Sequence, residues 1–164
     1  MIDRRHSLFL ALTAIIWFSV PLVYAQGFQR FVPLLIDLDG WKGEKADGMS
    51  MQMAGASMDT ATRKYERGDS SIDAHVIVGP AAQGILAPVQ AGIKVETSHE
   101  RMSTTTIDGF VVLRTYQISD ESGGVIVALS NNAAFSLTFN GITDEDALAL
   151  AKKFDWKAIQ AAAK

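Results

Sequence analysis

Cysteine is absent from the 164-residue chain. That excludes a disulfide framework, a thiolate metal site, a cysteine nucleophile and a lipid-modified N-terminal cysteine, so the fold must stand on packing alone. A surplus of positive charge is missing as well: 15 Lys and Arg are set against 18 Asp and Glu, and the basic residues are scattered. Neutralising a phosphate backbone takes grouped Lys and Arg, so nucleic acid is not an expected partner. No internal repeat or low-complexity segment occurs, none of the acidic groups follows the EF-hand loop pattern, and no catalytic motif surrounds a histidine.

What is present begins with a stretch that reads as an export signal. Asp3-Arg4-Arg5-His6 forms a short basic region, Leu8 to Val20 is an apolar run centred on Ile15, Ile16, Trp17 and Phe18, and Pro21 to Ala25 supplies the exit. Val23 and Ala25 occupy the −3 and −1 positions where signal peptidase takes small or modest side chains, which predicts cleavage between Ala25 and Gln26. An uncleaved anchor is the competing reading, but the run is short for a bilayer and Pro21 would sit inside the helix. Ser7 stands where the twin-arginine motif wants an apolar residue, so the general secretory route is expected. The expectation is a periplasmic protein with no stable membrane span after cleavage. Removing residues 1–25 leaves 13 basic and 17 acidic residues, a mildly acidic chain long enough to bury about two-thirds of its unfolded surface.

Residues 26–40 read as an apolar lead-in segment, with Phe28, Phe31, Leu34, Leu35, Ile36 and Leu38 broken by Pro33 and closed by Asp39-Gly40. Residues 41–164 read as one domain. Met49-Ser50-Met51-Gln52-Met53 alternates at period two, which predicts a strand with one buried face, and Ala54 to Ser57 reads as a loop or bulge. Strands are predicted over Thr60–Glu66 and Ser71–Val78, the latter with Ile72, Ala74, Val76 and Val78 on one face and Asp73, His75 and Ile77 on the other. Pro80 opens a short helix over Ala81–Ala91. Thr104–Ile107, Phe110–Ile118, Val125–Leu129 and Phe135–Phe139 are rich in β-branched and aromatic residues and divided by short turns, and such connections join antiparallel neighbours. Thr143 then caps a helix whose first turn carries Asp144, Glu145 and Asp146, with a restart or continuation at Asp155 and an apolar face extending to Ile159. The fold class is therefore α+β: an antiparallel sheet of about five to seven strands covered by a C-terminal helix and a shorter mid-chain helix.

The order of hairpin, strand, helix, antiparallel meander and closing helix, with Gly40-Trp41 ahead of the first hairpin, resembles the PsbP-like fold of extrinsic photosystem proteins and small exported bacterial proteins. The resemblance spans roughly Trp41 to Ile159 and carries no functional residue with it. It implies a binding or assembly module.

Candidate chemistry is sparse. Downstream of the signal only His75 and His99 are available as bases; His99 lies in a polar stretch and His75 on the polar side of a strand, so no catalytic residue and no cofactor is assigned. The unusual feature is Met49, Met51 and Met53 at alternate positions, with Met58 just beyond. Three thioethers on one side of a strand suit Cu(I) or Ag(I), although Met also fills cores, and neighbours along one strand stand about 7 Å apart. Help from His75, His99 or Met102 would require the fold to bring them near. Trp41 and Tyr65 would mark a ligand groove if both were exposed together. The leading reading is a non-catalytic periplasmic binding or accessory protein acting on an envelope protein or small ligand. The alternatives are soft-metal binding through Met49, Met51 and Met53, and a hydrolase of unrecognised type.

Overall fold

A computed structural model describes residues 27–53 and 55–164. The expected signal peptide and the Ala25–Gln26 junction lie outside the described residues. Two 3₁₀ turns, Phe28–Arg30 and Val32–Leu34, begin the described chain. The strands are β1 Lys42–Gly43, β2 Asp47–Met53, β3 Ala56–Arg67, β4 Ser70–Val78, β5 Lys94–Glu96, β6 Glu100–Ile107, β7 Phe110–Gln117, β8 Ser122–Ser130 and β9 Ala133–Asn140. Helix α1, Pro80–Gln90, follows β4, while α2, Asp144–Ala151, and α3, Trp156–Ala162, close the chain.

All nine strands belong to one antiparallel sheet in the order β1-β3-β4-β9-β8-β7-β6-β5, with β2 also paired to β3. β1 and β2 lie one after the other along the same side of β3, so they form one edge of the sheet and β5 forms the other. Helix α1 carries the chain from β4 to β5 at that far edge, and the meander β5 to β9 then returns to pair with β4.

Strand alternation divides the side chains between two faces. The first face carries Ala61, Tyr65, Ile72, Ala74, Val76, Val112, Val125, Val127, Phe135 and Leu137, all buried, and is covered by Phe31, Leu35 and Leu38 of the lead-in segment with Phe154, Trp156 and Ile159 from the C-terminal region. Phe135 and Tyr65 both pack on the Phe154 ring, at centroid distances of 4.9 and 6.4 Å. The second face has a smaller cluster in which Ala82, Leu86 and Val89 of α1 meet Leu113 and Ala134. β9 is therefore buried from both sides and reads as the continuous run Ala133 to Leu137 without alternation, whereas β4 keeps its alternation of buried and half-buried positions.

The α+β class and the antiparallel meander match the expectation, but the sheet has nine strands instead of five to seven. The additional strands, β1 and β5, span two and three residues, too short for a period to show. The segment read as a loop at residues 54–57 is a two-residue connection at 54–55, since Met53 pairs with Ala56 and strand β3 starts there. Of the restart and the continuation expected at Asp155, the structure has the restart: Lys152 to Asp155 separate α2 from α3, and the Asp155 side chain caps α3 by accepting from the Ala158 N–H at 2.9 Å.

Candidate functional site

The methionine hairpin lies at the open edge of the sheet, on the second face. Directly opposed residues in an antiparallel ladder share a face, so the register Met49↔Thr60 and Met51↔Met58 places Met49, Met51 and Met58 together. Met53 holds the next alternate position, opposite Ala56. The connection at 54–55 is short enough to enforce this register, and Gly55 takes φ +84°, which only glycine adopts readily. On the first face Ser50 and Gly48 lie under the lead-in segment: the Phe28 N–H donates to Ser50 Oγ at 2.8 Å, and a Cβ on Gly48 would stand 2.5 Å from the Phe28 ring.

This corrects the expectation that the methionines form the buried face of their strand. Met49 is 50% exposed and Met51 38%, and neither belongs to either core cluster. The closing helices cover the opposite face. Met51, Ala56, Ser57, Met58 and Pro80 line a hollow of about 180 Å³ between the hairpin and the start of α1. Gly79 holds that junction close: its φ is +104°, and a Cβ there would stand 2.3 Å from the Ser57 carbonyl oxygen.

His75, His99 and Met102 all lie away from the methionine row. Met102 packs beneath α1 with Leu113, and His99 sits in the exposed turn between β5 and β6, at the opposite end of the sheet from β2. His75 aligns with Thr62, whereas the row running from Met49 continues through Thr60 to Ile77. Trp41 and Tyr65 line no exposed groove, because both are buried: Tyr65 donates its hydroxyl to the Ile36 carbonyl at 2.7 Å, and burial pushes its phenol up to about 12.

His75 has chemical neighbours that alternation alone did not reveal. Ser136 of β9 and Thr62 of β3 stand directly opposite it, and Asp73 precedes it by two positions on the same face. Burial lowers the imidazole from its ordinary value, with the Asp73 carboxylate opposing and the Lys64 ammonium adding to the shift. Among the described residues no hydrogen bond links His75 to Asp73, Ser136 or Thr62, and both Asp73 Oδ1 and Thr62 Oγ1 are buried without a partner. A nucleophile, base and orienting acid act through a hydrogen-bonded chain, which this row lacks.

A second charged group forms where α2 meets β6 and β7. Asp144, at 5% exposure, accepts from Arg114 Nη2 and, at 3.1 Å, from Arg101 Nη2. Burial disfavours the charge on Asp144, but hydrogen bonding with the neighbouring Glu145 carboxyl and with Arg114, and the charges of Arg114 and Arg101, together outweigh it and hold the carboxyl below the usual carboxylate range. The acidic first turn of α2 was legible as a dipole partner; the arginines that claim it come from strands 30 and 43 residues away and carry no local signal.

The sheet's two edges differ. β5 is three residues long with Lys94 and Glu96 exposed, the usual protection against added strands. β2 runs for seven residues with Asp47 its single charge and no proline, and among the described residues no strand pairs with its outer side. Among the described residues no group of three or more His, Asp or Glu could hold a metal ion, and no helix is long and apolar enough to cross a membrane. Comparison with known protein families, characterised proteins and solved structures finds no match to this chain.

Proposed function

We propose that this is an exported, non-catalytic binding or accessory protein of the periplasm, whose binding element is the outer edge of β2. The observation that carries the reading is the contrast between two edge strands: β5 is short and charged, while β2 is long, uncharged beyond Asp47, and flanked by exposed Met49 and Met51. Unpaired N–H and C=O groups along such a strand accept an extended segment of another chain, with main-chain hydrogen bonds giving affinity and alternate side chains giving selectivity. The partner is an envelope protein that offers an extended apolar segment, which lies against the methionines on the second face. The export signal read from residues 1–25 supports the compartment.

The test is photo-crosslinking in cells from a benzophenone amino acid at Gln52, which is exposed on β2, with Val95 on the short, charge-protected β5 edge as control. An adduct to one envelope protein at Gln52 and none at Val95 is expected. Background labelling at both positions refutes the reading, and an adduct with a second copy of this chain alone assigns the edge to self-association.

A further inference from the structure

We propose that Met49, Met51 and Met58 form a binding site for a soft monovalent cation, Cu(I) or Ag(I). Four of the chain's 6 methionines, at positions 49, 51, 53 and 58, fall on this one hairpin. The objection that thioethers along one strand stand about 7 Å apart is met by the register. Met51 and Met58 are directly opposed across the ladder, where Cβ atoms approach to about 4.5–5.5 Å, and Met49 is the diagonal neighbour of Met58, a distance that long side chains span. Each side chain is unbranched with three rotatable bonds, so sulfur atoms can turn toward one point without moving the backbone.

Exposure argues the same way. A methionine recruited to fill a core is buried, yet Met49 and Met51 face solvent on a strand whose other exposed positions are polar. The hollow lined by Met51, Met58, Ala56, Ser57 and Pro80 gives an ion low-dielectric walls and no carboxylate. Neutral thioethers in such a setting select soft d¹⁰ monovalent ions over Zn²⁺, Ca²⁺ or Mg²⁺, which want imidazole, thiolate or oxygen. Met51 and Met58 are the principal pair and Met49 the third donor. The proposed partner also lies against these methionines, but it needs the backbone edge of β2 and an apolar surface, whereas the ion needs sulfur; Met→Leu changes keep the first and remove the second, so either reading can fail without the other.

The experiment is anaerobic competition for Cu(I) against bathocuproine disulfonate, using the protein as its cells mature it, together with Ag(I) titration followed by the methionine methyl resonances. One ion per chain is expected, with Met49, Met51 and Met58 methyl signals moving and Met102 still. The M51L/M58L double variant should lose affinity by more than about tenfold, and M102L should match the wild type. Equal affinity in M51L/M58L, or a folded wild-type protein that takes no Cu(I) and shows no methyl shift with Ag(I), overturns the site. The methyl readout on the wild type holds even if the double variant folds poorly.

Discussion

Replacing Asp144 with alanine leaves the Arg114 and Arg101 guanidinium groups facing a hole. The carboxylate is the first residue of α2, next to the Thr143 cap whose hydroxyl accepts from the Asp146 N–H at 3.1 Å, and it ties that helix to β6 and β7. Removing one partner of a fully buried pair costs about 3–5 kcal/mol, because the other charge stays desolvated. Here the side chains of Arg114 and Arg101 are 21% and 42% exposed, and Glu145 lies 3.5 Å from Arg114, so part of the cost is recovered by water and by that second carboxylate. Loss of a negative charge at the helix N-terminus adds about 0.5 kcal/mol. Asp144→Ala should therefore destabilise by about 2–3 kcal/mol and lower Tm by roughly 6–10 °C. Asp144→Asn, which keeps the shape and one acceptor, should cost about half as much. Because the folded-state pKa of Asp144 is depressed, its contribution is full above the ordinary value of 3.8 and is lost as the pH falls through the lowered one. The gap between wild type and Asp144→Asn, read from urea midpoints at constant slope, should thus close on acidification. An Asp144→Ala midpoint within about 0.5 kcal/mol of wild type at neutral pH would refute the argument.

Gly79→Ala should cost about 2–4 kcal/mol in urea unfolding, since it forces a side chain into φ +104° and against the Ser57 carbonyl at 2.3 Å; an unchanged midpoint contradicts this. Tyr65→Phe removes the hydroxyl bonded to the Ile36 carbonyl and should lose about 1 kcal/mol, while ultraviolet titration of the wild type should place the Tyr65 phenol at about 12. The folded-state pKa of His75 is lowered, so its share of stability is complete above 6.5 and declines as the pH drops through the lowered value; His75→Gln should flatten that part of the stability profile, and an imidazole NMR titration at or above 6.5 would sink it. Arg30→Ala breaks the 2.9 Å ion pair to Asp59 and the 2.7 Å bond to the Ala162 carbonyl, and should speed amide exchange in residues 28–35 more than in β9.

The sequence pattern disclosed what is governed by neighbours in the chain. The meander from Thr104 to Phe139, the start of α1 at Pro80 and the Thr143 cap all rest on residues within one or two turns of each other, and the structure reproduces them to within a few positions. What local pattern could not disclose is pairing between distant segments. β5 spans three residues and exists because β6 offers it a ladder, and the arginine pair around Asp144 exists because β6 and β7 pass beneath α2. His75 looked solitary for the same reason: Ser136 is 61 positions along the chain and reaches it only through the β4–β9 ladder.

The methionines show where period-two reasoning misleads. Alternation states that Met49 and Met51 share a face but not whether that face is the covered one, and apolarity alone points to the covered side. The decisive residues are Gly48 and Ser50, small and intervening, which let Phe28 settle on the first face of the strand and turn the thioethers outward. A two-residue connection at 54–55 then determines that Met58 opposes Met51, so the constellation follows from loop length once the hairpin is recognised. Apolar side chains that a strand shows to solvent beside an unprotected edge cost solubility and add nothing to the core, and a soft ion or an incoming strand is what would offset that cost.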